Sequence, residues 1–263
     1  MPAADSKFYS ARILERRDIS SDLWSFRVDP CGEFPYRSGQ YATLGVITPE
    51  KHHERPYSIV SAPHEKFLEF FFELVPRGQV TPRLHASRVG DQITLRKNAK
   101  GKFTLDLSGK HTNHFLISTV TGVAPYVSYI RALYREWKAS NFTGAHKLFI
   151  LDGGSRSWEL GYSSEIKGAA AEVPWLKYVP TVSRPWEDPE WKGEMGRVDD
   201  LIRKYSDLWK LTPADTKVYL CGHPDMIENV RGIVRRRGWH EDAIEAEAYF
   251  VPLRHDFTAE AED

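Results

Sequence analysis

His114-Phe115-Leu116-Ile117-Ser118-Thr119-Val120-Thr121-Gly122-Val123-Ala124-Pro125 is the stretch that decides the fold. Its first five residues are an apolar run of strand length, and the glycine and proline behind them mark a tight loop opening a helix. In that helix Val127, Ile130, Tyr134 and Trp137 recur at helical spacing. Downstream the alternation repeats. Residues 147–151 read as a strand, Ser163 or Ser164 opens a helix, and residues 176–182 read as a third strand. A helix follows over 196–205, with Val198, Leu201, Ile202 and Tyr205 on one face, then a strand over 218–221. Pro224 takes the first position of the next helix, whose apolar residues are Met226, Ile227, Val230, Ile233 and Val234 and whose stop is Gly238. Residues 244–250 read as a last strand. Strands alternating with helices predict a doubly wound parallel sheet with ligands at the strand carboxyl ends.

Upstream of this stretch the pattern is different. Residues 8–17, 23–28, 41–46, 55–60, 67–75 and 92–96 are short segments rich in aromatic and β-branched residues, separated by glycine, proline, aspartate and asparagine turns. They predict an antiparallel β-barrel. The composition changes near residues 108–113, so the expected division is a barrel domain over 1–108, an α/β domain over 109–250 and a polar extension over 251–263.

Composition narrows the function. Lysine plus arginine and aspartate plus glutamate are both 36, a net charge of zero that argues against a general nucleic-acid binder. Cys31 and Cys221 are the only cysteines, which excludes a disulfide framework and an internal cysteine-ligated iron–sulfur centre. No His-Glu-x-x-His pair or Gly-x-Ser-x-Gly elbow is present, so neither a metal site nor a serine nucleophile is expected. The amino-terminal residues lack an apolar core, and no run approaches the roughly 20 apolar residues that span a bilayer. A soluble, monomeric protein of the reducing cytoplasm is expected.

Three groups of residues carry chemistry. Arg55-Pro56-Tyr57-Ser58 places a cation, a flat ring and a hydroxyl together, with Pro56 suited to a strand edge. Tyr57 could stack on an isoalloxazine ring, Arg55 pair with a pyrophosphate and Ser58 hydrogen-bond the flavin N5. In Phe70-Phe71-Phe72 aromatic rings occupy both faces of one strand, one face for the core and one that a ligand could cover. A short helix opens just beyond, with Thr81 as its N-cap and Pro82 at N1, and its free N–H groups could take a pyrophosphate. In the α/β half, Thr121-Gly122 and Cys221-Gly222-His223-Pro224 are two strand-to-helix loops opening on one crevice. Arg156, Arg184 and Arg197 each follow a strand end and together could surround the 2′-phosphate of NADPH. Asp152, closing the second strand, could instead favour the bare ribose of NADH.

Taken in order, these motifs resemble the ferredoxin–NADP+ reductase family, bacterial branch, over nearly the whole chain. The likeness runs through Arg55 to Ser58, Gly78-Gln79-Val80-Thr81, Thr121-Gly122-Val123-Ala124-Pro125, Ser183-Arg184, Cys221-Gly222-His223-Pro224 and Glu247-Ala248-Tyr249-Phe250. It implies an FAD-binding barrel followed by an NADP(H)-binding domain, with hydride transfer to flavin and single-electron transfer to ferredoxin or flavodoxin. By the same resemblance FAD is held by Arg55, Pro56, Tyr57, Ser58, Phe71, Gln79, Val80, Thr81 and Thr121. Tyr249 covers the flavin and Phe250 stacks on the adenine. NADP(H) falls to Thr121, Gly122, Ser155, Arg156, Ser183, Arg184 and Arg197, with Cys221, Gly222, His223, Pro224 and Asp225. Ser58, Cys221, Glu247 and Tyr249 would meet at the hydride-transfer site. The chain departs from the family where Val120 replaces the first glycine of a Gly-Thr-Gly loop, and where it continues past the terminal aromatic. Two alternatives stand beside this: the reductase component of an oxygenase or a flavin reductase, and a non-catalytic nucleotide-binding regulatory subunit, which Val120 favours.

Overall fold

The computed structural model describes residues 7–248. In the first domain β1 (Phe8–Asp18), β2 (Leu23–Asp29), β3 (Tyr41–Ile47), β4 (His52–Ser58) and β5 (Leu68–Glu73) are followed by the short helix α1 (Thr81–Ala86) and by β6 (Gln92–Arg96). The strands form one antiparallel sheet in the order β4-β3-β6-β1-β2-β5. Its two ends meet. Just past β4, Ile59 bridges Phe70 of β5, and the Val60 N–H donates to the Glu69 carbonyl at 2.8 Å, closing the sheet into a barrel. Trp24, Phe26, Phe70 and Phe72 fill the interior, with the Trp24 and Phe72 rings stacked at 5.2 Å.

The second domain runs β7 (Asn113–Thr119), α2 (Ala124–Lys138), β8 (Lys147–Gly154), α3 (Ser163–Glu172), β9 (Leu176–Val182), β10 (Glu194–Met195), α4 (Ile202–Leu208), β11 (Thr216–Gly222), α5 (Pro224–Arg236) and β12 (Ile244–Ala248). All six strands are parallel, in the order β10-β9-β8-β7-β11-β12. Alternate residues of β7 serve the two helical layers, as the pleat requires. Leu116 packs with α2 and α3, whereas Phe115 and Ile117 pack with α4 and α5. Leu23, Val60, Phe71 and Phe103 of the first domain lie in the same apolar cluster as Tyr126, Val127 and Tyr129 of α2, so the core is continuous between the domains. Among the described residues, no helix is long and apolar enough to cross a membrane.

Several local expectations change. Val80, not Thr81, is the residue that precedes the first helix; the Thr81 hydroxyl accepts from the Val75 N–H at 2.9 Å and so ties back the incoming strand instead of capping. The face of Phe71 expected to be left for a ligand is covered by protein. Phe71 is 4 % exposed, packs edge-on against Tyr162 at 5.3 Å and belongs to the interdomain core. The helix expected over 196–205 is a 3₁₀ turn over Val198–Leu201 continued by α4. Of the last expected strand, β12 accounts for residues up to Ala248; Tyr249, Phe250 and the extension fall outside the described residues.

Candidate active site

The strand order reverses between β7 and β11, which is where an open parallel sheet places its ligand crevice, outside the strand carboxyl ends. From β7 the chain passes through the 3₁₀ turn Val120–Val123 into α2, and from β11 through Cys221 and Gly222 into α5, capped by His223 with Pro224 at its first turn. The loops are bound to one another. The His223 N–H donates to Thr119 Oγ1 at 3.0 Å, and a Cβ at Gly222 (φ +141°) would fall 2.2 Å from the same oxygen, so only glycine permits the approach. Val120 holds φ +49°, the left-handed conformation natural to glycine, and Thr121 and Gly122 follow it in the 3₁₀ turn.

The barrel reaches this crevice through the end of β4. Ser58 Oγ donates to Glu247 Oε1 at 2.8 Å across 189 residues of sequence. Glu247 lies in β12 directly beside Cys221 of β11, so Ser58, Glu247 and Cys221 meet where the domains join. Burial raises the pKa of Glu247, offset in part by the hydrogen bond from Ser58. Burial likewise raises that of Cys221, helped by the charge of Glu247, which keeps the sulfur a thiol.

Beside Ser58, the Tyr57 ring packs edge-on against Phe72 at 4.9 Å, and its hydroxyl is buried without a hydrogen-bond partner. A buried orphan hydroxyl is rare unless a ligand supplies the missing group. Arg55 and Pro56 are exposed on the same strand, with Arg55 Nη1 donating to the Glu54 carbonyl at 2.7 Å. Farther along, Gln79 is exposed and the Val80 side chain is in the barrel core, so only the Val80 backbone remains for a ligand. An unsatisfied phenol, an aromatic face, a cation and a hydroxyl paired with a carboxylic acid fit a flavin nucleotide.

The loops after β8 and β9 are laced together, the Ser183 N–H donating to Gly154 O at 3.0 Å and the Arg184 N–H to Ser155 O at 2.9 Å. This brings Arg156 and Arg184 to one rim. Both meet Glu187: Arg156 Nε donates to Glu187 Oε2 at 2.7 Å, and Arg184 Nη1 lies 3.6 Å from Glu187 Oε1. Arg156 also contacts Glu159 at 3.0 Å, while Arg197 pairs with Asp199 at 3.1 Å. Ser155 donates its N–H to Glu159 at 2.6 Å, and Asp225, exposed, donates its own to His223 Nδ1 at 3.1 Å. Asp152 is withdrawn from any ribose role. It is fully buried inside the sheet, accepting from Ser118 Oγ at 2.8 Å and Tyr178 OH at 2.9 Å, because β8 runs on to Gly154 instead of ending before it. Sequence reasoning missed Glu187 altogether, although its spacing of three from Arg184 in Arg184-Pro185-Trp186-Glu187 was a usable signal. It also missed Glu69, which accepts from Arg131 at 2.8 Å and Tyr162 at 2.7 Å across the domain boundary and has no local signature.

Known proteins resemble both halves of the chain. The model of the oxidoreductase FAD-binding domain matches residues 10–105, and that of the oxidoreductase NAD-binding domain matches residues 116–232. A flavodoxin/ferredoxin–NADP reductase of Rhodobacter capsulatus is 30% identical over 251 residues, covering 89% of this chain and 88% of that protein. The chain belongs to the ferredoxin–NADP reductase family. This reductase is also similar to the ferredoxin–NAD(P)(+) reductase component of the naphthalene 1,2-dioxygenase system of Pseudomonas putida, at 31% identity over 260 residues, 95% of this chain and 73% of that one. Its fold matches that of a ferredoxin NADP+ reductase from Neisseria gonorrhoeae solved with bound FAD and NADP, with a TM-score of 0.81 and 23% identity over 94% of this chain and all of the other. The reductase is thus a two-domain oxidoreductase of the FAD and nicotinamide-nucleotide class, which sets aside the non-catalytic alternative.

Proposed function

We propose that this reductase exchanges a hydride with NADP(H) and single electrons with a small separate carrier of the ferredoxin or flavodoxin type. FAD, when bound, supplies the conversion between two-electron and one-electron chemistry. Tyr57 offers the ring its flat face, Arg55 and the backbone of Gln79 to Thr81 offer donors to the pyrophosphate, and Thr121, Gly122 and the loop from Cys221 to Asp225 line the nucleotide crevice. One contact carries the proposal. The 2.8 Å bond between Ser58 and Glu247 joins the barrel to the α/β domain beside Cys221, and a carboxyl with a raised pKa there can hold a proton and pass it through the Ser58 hydroxyl. Tyr249 and Phe250, proposed to cover the flavin and stack on its adenine, follow this strand directly.

The test is direct. Purified protein should retain FAD, bleach on anaerobic addition of NADPH and then reduce ferredoxin. Glu247→Gln should leave the bleaching rate near the wild-type value, since hydride reaches N5 without a separate proton. It should lower the rate of ferredoxin reduction, in which the N5 proton must leave, by about 100-fold, the lower range for loss of a positioned proton-transfer group, while FAD content stays at the wild-type level. Flavin that NADPH leaves oxidised would sink the proposal. A second reading, the reductase component of an oxygenase, rests on the similarity to the Pseudomonas putida protein. It is favoured if an oxygenase-type ferredoxin is reduced well and flavodoxin is not.

A further inference from the structure

The rim that would meet the adenosine end of the coenzyme carries no net positive charge. Arg156, Arg184 and Arg197 face Glu159, Glu187 and Asp199, each guanidinium within 3.6 Å of a carboxylate. Glu187 is the shared partner. Its Oε2 accepts from Arg156 at 2.7 Å and its Oε1 lies 3.6 Å from Arg184, so one carboxylate spans two of the three cations. The backbone holds it in that position. Pro185–Glu187 form a 3₁₀ turn with the Glu187 N–H bonded to Arg184 O at 3.0 Å, and the next residue, Asp188, is buried and accepts from the Ser157 N–H at 3.0 Å. The turn is therefore tied to the loop that bears Arg156.

A 2′-phosphate arriving at this rim meets guanidinium N–H groups already engaged by an anion. It must displace the Glu187 carboxylate, exchanging one negative partner for another, and the displaced carboxylate stays within repulsive range. An unphosphorylated ribose presents two hydroxyls, which donate to a carboxylate without displacing it from its arginines. Trp186, in the same turn and 72 % exposed, offers a flat face for a purine of either coenzyme. We infer that Glu187 is a specificity-determining residue through which this reductase accepts NADH on terms comparable with NADPH. The inference rests on the reading of the crevice as the nicotinamide-nucleotide site.

Two measurements on the FAD-loaded protein test it, one free of turnover. In the first, calorimetric titration with 2′-phospho-AMP and with AMP should give affinities within about tenfold of each other for the wild type. In Glu187→Gln, 2′-phospho-AMP should bind about tenfold tighter, equivalent to about 1.4 kcal/mol, with AMP unchanged or weaker. In the second, the ratio of kcat/KM for NADPH to that for NADH in dye reduction should rise by the same factor, and Glu159→Gln should move it less because, of the three arginines, Glu159 touches only Arg156. A wild type that prefers NADPH by more than about 100-fold overturns the inference, as does a Glu187→Gln variant with unchanged ratios. Should neither mononucleotide bind and neither coenzyme react, the reading of the crevice itself falls along with the inference.

Discussion

Val120 turns the crevice loop through φ +49° although its side chain is β-branched, the residue type for which a left-handed backbone is most costly. The strain, of order 1–3 kcal/mol, is held in place because Val120 packs against the interdomain core while Thr119 anchors the loop to His223. In regular structure glycine is less stable than alanine by about 0.5–1 kcal/mol. Here the order should invert, with Val120→Gly more stable in urea than Val120→Ala by about 1 kcal/mol, since only glycine adopts the conformation freely. Alanine as the more stable variant would show that the turn carries no such strain. The sequence marked Val120 as standing where a glycine is expected. It could not tell that the left-handed turn survives the replacement, because that depends on contacts with Thr119 and the distant core.

Three strands are cross-linked by Asp152, which in β8 accepts hydrogen bonds from Ser118 of β7 and Tyr178 of β9. Burial is the main cause that pushes its pKa up to about 7, against the lowering effect of those two bonds. An unfolded aspartate titrates near 4. Between those values the folded protein binds a proton that the unfolded chain does not, so this group's contribution to stability is full below about pH 4, declines by up to about 1.4 kcal/mol per pH unit as pH rises, and is gone above about pH 7. Asp152→Asn removes that slope. The stability of the variant relative to wild type should climb from pH 5 to pH 7 and then level off, read from urea midpoints at each pH. A constant difference would mean that Asp152 titrates alike in both states. At this scale the sequence was informative about strands and helices, because hydrophobic period and glycine or proline punctuation are local. β9 and β6 fall where the pattern puts them, whereas β8 runs three residues longer than its apolar run and so hides Asp152. The first helix was displaced by one residue because the Thr81 hydroxyl serves Val75 instead.

Across the whole molecule the two domains share side chains more than a linker. Arg131 of α2 donates to Glu69 of β5 at 2.8 Å and to Glu165 of α3 at 2.7 Å, Tyr129 OH donates to Phe103 O at 2.5 Å, and Ser128 Oγ to Ser61 O at 2.7 Å. Burial works to raise the pKa of Glu69, yet Arg131, with Tyr162 and Arg27, holds it below the ordinary carboxylate value. Thermal unfolding should therefore be one transition, with calorimetric and van't Hoff enthalpies equal. Arg131→Met leaves Glu69 with Tyr162 and Arg27 and should cost about 3 kcal/mol, the lower end for removing one partner of a buried pair. Two resolved transitions in the wild type would show that the domains melt independently. The change of pattern along the chain made the two kinds of sheet legible. The interface was not, since contacts such as Glu69 to Arg131 join residues 62 apart and leave no periodic trace.

The bond between Ser58 and Glu247 has a bearing on the order in which the chain is made. During synthesis the barrel and its Tyr57-Ser58 edge emerge long before β12, and five strands of the second sheet precede the one that carries the acid. A ribosome that stalls, or a protease that clips the chain ahead of β12, would release a polypeptide with most of its framework and without Glu247, the proposed proton donor.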